Sequence, residues 1–170
     1  NNVEEPNLLS YLDLVALGTV CDVVRLVDYN RAFVKKGIDI IHKRTNLGIA
    51  KIIDNSKIYN SPTISDLAYI IGPQLNAASR IDDSSLSSKI LMSHDLIEIE
   101  SIARKLLLLN EKRKLIENNV FQQSMIQANN QKNQKIIIVY GDNWHHGVLG
   151  IVASNLVEKF YKPVVVVSSI

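Results

Sequence analysis

Read alone, the 170-residue sequence implies an α/β chain: mostly helical, with one long helix followed by a βαβ unit. Three features carry this. Apolar residues recur at helical spacing through the first 94 positions, between evident cap and turn residues. Residues 95–130 contain no Gly or Pro. Two β-rich runs, 135–140 and 164–168, flank a helical segment at 148–160, and strand, helix, strand with short connections implies a parallel sheet.

In residues 7–27, Leu8, Leu12, Val15, Ala16, Val20, Val23 and Val24 mark a first helix. Gly18 interrupts it at about 1 kcal/mol relative to Ala, which suggests close backbone approach or a change of path before Asp22. Asp28-Tyr29-Asn30 reads as a turn and 31–41 as a second helix. Thr45 caps a short third helix through Asp54, and 55–61 is a loop. Thr63, with Asp66 three residues on, caps 63–71 in a relative of the capping box. Gly72-Pro73 then breaks that helix and starts another over 74–81. Asp82-Asp83-Ser84 caps 85–92. The helix from Asp95 carries Ile99, Ile102, Leu106, Leu109, Ile116 and Val120, and its length suits a bridge between two bodies.

Composition excludes several classes. Hydrophobic residues are 46% and charged residues 21%, an ordinary globular balance. A net charge of +2 is too small for global attraction to nucleic acid, so anion binding must be local. Cys21 is the single cysteine, which excludes an internal disulfide and suits a reducing compartment. The apolar runs 106–109 and 164–167 are far below the roughly 18–20 residues of a membrane span. No secretory signal is visible in 1–6. The opening on Asn1 and the stop after an apolar run give the expectation of an internal piece of a longer protein.

Three segments have the residue types for chemistry. Asp22 is a carboxylate within an apolar stretch and needs a partner: a metal, Arg25, or nearby amides. Asn76 and Arg80, four residues apart, share one helix face; Arg offers a planar fork for phosphate and Asn a neutral donor. The alternative is a small-residue packing patch with Arg80 tied to Asp82 or Asp83. Trp144-His145-His146-Gly147 leads into the βαβ helix, where glycines free backbone amides for an anion; the alternative is a packing turn with exposed imidazoles. His145 and His146, being adjacent, are expected to point apart. Ser154 faces either the same cleft or the core. The charges on the long helix (Arg104, Lys105, Lys112, Arg113, Lys114 among Glu98, Glu100, Glu111, Glu117) read as a solvated face, and Cys21 as a small buried side chain.

Residues 11–24 (YLDLVALGTVCDVV), Asn30-Arg31, residues 72–80 (GPQLNAASR), 109–113 (LNEKR) and 144–154 together resemble the RecJ family of single-stranded-DNA-specific exonucleases in the DHH phosphoesterase superfamily. The resemblance implies three parts: the C-terminal part of a DHH catalytic domain over 1–94, a connecting helix over 95–131, and the start of a DHHA1 domain over 132–170. It implies a 5′→3′ exonuclease of DNA repair and recombination, with single-stranded DNA in the cleft between the domains. A divalent metal, Mn²⁺ or Mg²⁺, would activate the attacking water. On this resemblance Asp22 is a metal ligand and catalytic, Arg80 is catalytic, and Asn76, Arg80, His145, Gly147 and Ser154 bind substrate. Single-strand-binding protein and a helicase are the implied protein partners, with no membrane association and a cytoplasmic location. The Asp-His-His signature would lie upstream of Asn1, so these residues alone are expected to be inactive. Ser79 stands where Gly is customary, Asn155 where Arg is, and His146 where Gln is more usual; the first two departures weaken strand binding. Competing readings are a DHH-family oligoribonuclease or small-nucleotide phosphodiesterase, and a non-catalytic remnant of a decayed nuclease gene.

Overall fold

The computed structural model describes residues 7–169. A 3-10 turn, Leu8–Tyr11, leads into α1 (Leu12–Cys21), followed by α2 (Asp28–His42) and α3 (Leu47–Asn55). Next come α4 (Ile64–Asp66), a π segment (Leu67–Ile71), α5 (Gly72–Ile81), α6 (Ser85–Met92) and α7 (Leu96–Asn129). The chain closes with β1 (Ile137–Asp142), α8 (His146–Phe160) and β2 (Val164–Ser169). β1 and β2 pair in parallel, from Ile137 opposite Val164 to Asp142 opposite Ser169. The mostly helical chain with a terminal βαβ unit is therefore as expected.

Several local expectations need correction. Nothing would meet a Cβ at Gly18 within 4 Å, so that glycine marks no close approach, and α1 runs through it. Asp28-Tyr29-Asn30 is the first turn of α2. Asn46, not Thr45, caps α3, its Oδ1 accepting from Ile49 N at 3.0 Å; from the N-cap position that oxygen reaches an otherwise orphan amide of the first turn. The Thr63–Asp66 capping box is present.

Gly72-Pro73 does not break the helix. Residues 64–81 run continuously through the π segment, where the Gly72 N–H bonds to Leu67 O, five residues back. Pro73 lacks an N–H and its ring clashes with the carbonyl four residues earlier in an α-helix. The wider π turn accommodates both, so the helix passes the proline without ending.

α7 carries two separate apolar cores. Its first half buries Ile99, Ile102, Ala103, Leu106 and Leu109 among residues of α1, α2, α3, α5 and α6. Its second half buries Val120 and Ala128 with Ile137 and Val139 of β1, Trp144, and Val148, Val152 and Leu156 of α8. Each fully buried Leu, Ile or Val contributes roughly 1.5–3 kcal/mol. One continuous helix thus fixes the βαβ unit to the helical part.

Candidate functional site

Asp22 is the C-cap residue of α1, and its N–H bonds to Gly18 O at 3.0 Å. Val23 N bonds to Val20 O and Val24 N to Thr19 O, the paired bonds of a Schellman ending. That ending places Val23 at φ 55°, and its side chain is 87% exposed. A β-branched residue in the left-handed region is strained by about 1–2 kcal/mol. The Asp22 carboxyl group is exposed, and no ion pair, with Arg25 or otherwise, holds it among the described residues. The expected need for a partner came from apolar neighbours in sequence. At a helix end those valines point away and water solvates the acid. Cys21 is partly buried under α5, as expected; burial, then the adjacent Asp22 charge, holds its thiol above the ordinary value.

α5 joins the three segments. A Cβ at Gly72 would lie 2.5 Å from Cys21 Sγ, so the end of α1 seats directly on the start of α5. At the other end Arg80 Nη1 donates to Gly147 O at 3.0 Å, and a Cβ at Gly147 would lie 2.2 Å from Arg80 O. Arg80 is not tied to the neighbouring acids: Asp82 pairs with Lys105 at 2.8 Å and Asp83 accepts from Ser85. Eight residues separate Gly72 from Arg80, about 12 Å of helix at 1.5 Å each. Asn76 and Ser79 lie exposed between them. Ser79 Oγ is spent on Asn76 O at 3.0 Å.

His145 caps α8: its Nδ1 accepts from Gly147 N at 3.1 Å, which leaves Nε2 as the ring's N–H donor. Val148 N bonds to His145 O. The amides that the loop was expected to offer an anion are therefore largely engaged within the loop. His145 and His146 do not point apart. Their rings stack with centroids 4.9 Å apart and planes 20° from parallel, because the extended N-cap backbone swings the first imidazole over the second. Ser154 is exposed and bonds back to Gly150 O at 3.1 Å.

A polar network on α7 lay hidden in the supposed solvated face. Arg113 and Glu117 side chains are only 12% and 21% exposed and pair at 2.5 Å. Arg113 Nε also donates to Asn110 Oδ1 at 3.1 Å, and Asn155 of α8 reaches Glu117 at 3.4 Å. The spacing of Asn110, Arg113 and Glu117, three and then four residues, was the available signal. Asp13, 4% exposed, was also missed. Its Oδ1 accepts from Leu14 N at 2.7 Å beneath a cleft lined by Lys43 and His94 among others. Among the described residues no three or more His, Cys, Asp or Glu side chains gather to hold a metal ion. No helix is long and apolar enough to cross a membrane there.

No family profile matches the chain. Comparison with curated proteins gives RecJ of Dickeya dadantii, 35% identical over 168 residues, covering 95% of this chain and 29% of that protein. RecJ of Escherichia coli is 34% identical over 171 residues, covering 96% and 30%. The chain is similar to a segment of RecJ. The fold agrees: the crystal structure of RecJ from Thermus thermophilus in complex with Mn²⁺ superposes with a TM-score of 0.89 at 32% identity, over 96% of this chain and 24% of that one. The same RecJ in complex with Mg²⁺ gives the same score. These relatives are named single-stranded-DNA-specific exonuclease RecJ. The chain spans under a third of the length of the curated RecJ proteins it matches.

Proposed function

We propose that the chain is the part of a RecJ-type exonuclease that lies across its strand-binding cleft, and that the whole protein hydrolyses single-stranded DNA from the 5′ end in repair and recombination, in the cytoplasm. The observation that carries this reading is the path along α5: Asp22 at one end, the Arg80–Gly147 junction with His145 at the other, and Asn76 exposed between them. On the same reading residues 1–94 belong to a DHH catalytic domain, 95–131 form the connecting helix and 132–170 begin a DHHA1 domain. The two cores strung along α7 support that division.

The donor set for a metal is incomplete in these residues. Asp22 fits as one ligand, since its hard carboxylate oxygens suit Mn²⁺ or Mg²⁺ and it is exposed and not ion-paired among the described residues. The remaining ligands would come from elsewhere in the whole enzyme. A divalent ion held there supplies an activated water and neutralises phosphate charge. The chain's own side chains then position the strand. Asn76 donates a neutral hydrogen bond to a phosphate oxygen, and His145 offers its Nε2–H at the far end. Arg80 uses one of its five N–H groups on Gly147 O and keeps the others for phosphate.

Asp22→Asn in the full-length enzyme tests this. Metal-dependent release of nucleotides from a 5′-labelled single strand should be lost, with the melting temperature of the 170-residue chain unchanged, since Asp22 is solvated. Undiminished release at saturating Mn²⁺ would remove Asp22 from the site. Faster cleavage of dinucleotides than of long single strands by the unsubstituted enzyme would favour a small-nucleotide phosphodiesterase instead.

A further inference from the structure

α7 and the turn that follows it present three glutamines at intervals of four residues; two bond to β1 and the third to Trp144 just beyond it. Gln131 Oε1 accepts from Ile138 N at 3.0 Å and its Nε2 donates to Ile138 O at 2.8 Å. Gln127 repeats the pattern on Tyr140, accepting from the amide at 3.0 Å and donating to the carbonyl at 2.6 Å. Gln123 Oε1 then accepts from the Trp144 indole Nε1–H at 2.9 Å.

A carboxamide carries the same donor and acceptor as a peptide unit. Each of Gln127 and Gln131 thus reproduces the two-bond pair that neighbouring antiparallel strands exchange. The geometry allows a ladder because four helical residues rise about 6.0 Å and two strand residues advance about 6.6 Å. Beside the ladder, Val120, Ser124 and Ala128 form a buried stripe, two of them small enough to let the strand lie close to the helix. On its other side β1 pairs with β2.

We infer that Gln123, Gln127 and Gln131 act as a surrogate strand, closing the outer edge of β1 and holding the Trp144 loop that carries His145. An open strand edge invites pairing with another chain. With this edge closed, any strand added to the sheet joins at β2. The inference is independent of the nuclease reading, since it concerns the helix–sheet junction alone.

Amide hydrogen exchange followed by NMR on the 170-residue chain tests it. Ile138 and Tyr140 should be protected although, among the described residues, no strand lies on the edge their amides face, and the single Trp indole N–H should be protected with them. The Gln127→Ala, Gln131→Ala double variant keeps helix propensity. It should speed exchange at Ile138 and Tyr140 about tenfold or more while Ile137 and Asn143 hold their rates; those two amides bond instead to Pro163 and Ser169. Gln123→Ala should speed the indole alone. Unprotected rates at Ile138 and Tyr140 in the unsubstituted chain would overturn the inference, and that measurement needs no variant to fold. An acceleration spread evenly along β1 would overturn it too, because general loosening produces that pattern.

Discussion

Two glycines one turn apart on α8 give a matched test of the α5–α8 junction. At Gly147 an added Cβ would sit 2.2 Å from Arg80 O, a backbone atom; ordinary contact begins at 3.4 Å, so the helices must part by about 1.2 Å. The Arg80 Nη1 to Gly147 O bond, 3.0 Å long, would then stretch beyond hydrogen-bonding range. Overpacking costs about 1–3 kcal/mol, and a bond from a charged donor contributes about 1.5–3 kcal/mol. The two losses share one movement, so Gly147→Ala should destabilise by about 2–4 kcal/mol in total. At Gly150 a Cβ meets nothing within 4 Å. Gly150→Ala should therefore stabilise by about 0.5–1 kcal/mol through helix propensity alone. Urea unfolding of both variants, followed by circular dichroism, reads the difference directly. Equal midpoints for the two variants would refute the close junction, and with it the placement of Arg80 against the start of α8.

Three other perturbations follow from the geometry. Val23→Gly relieves a left-handed valine with little packing to lose, and after the glycine's own entropic penalty should raise stability by about 0.5–1 kcal/mol in thermal melts; a loss would show that the strain is absent. Glu117→Ala leaves the mostly buried Arg113 without its carboxylate and should lower the unfolding free energy by about 2–3 kcal/mol, whereas an effect below about 0.5 kcal/mol would return the pair to a solvated face. Hydrogen bonds from Lys51 and then Arg104 hold the Glu100 carboxyl below its ordinary value, and the Ser85 amide and hydroxyl do the same for Asp83. Lowered folded-state values mean stability that is present above the ordinary carboxylate value, near pH 4, and is lost as pH falls through the lowered values. The acid limb of the stability curve should become shallower in Glu100→Gln, and an unchanged limb would contradict the assignment.

Much of the architecture was legible along the chain because its signals are local. Asp95 accepts from the amides of Ile97 and Glu98, and the unbroken stretch after it forms α7 as expected. The Thr63–Asp66 box and the β-rich composition of each strand also rest on neighbours within a few residues. The misjudged points each depended on something distant or on degrees of freedom that a motif does not encode. Pro73 was expected to end a helix, and a π turn absorbed it. Asp22 was expected to be enclosed by its apolar neighbours, but the Schellman ending turned it outward. The two histidines were expected to diverge, and the N-cap backbone stacked them.

Residue order alone thus settled most of the helices and both strands, since periodicity, caps and breakers act within a turn or two of chain; it misplaced Asp28–Asn30 as a turn and carried the first helix past Cys21. It also carried the resemblance to RecJ. Contacts between distant segments needed the folded chain. Arg80 turned from Asp82 and Asp83 to Gly147, 67 positions away, and Arg113 and Glu117 left the solvent-facing set to pair beside α8. The physical reason is that a side chain's partner depends on which surfaces packing brings together. Burial of the two cores along α7 decides that, and no local pattern records it.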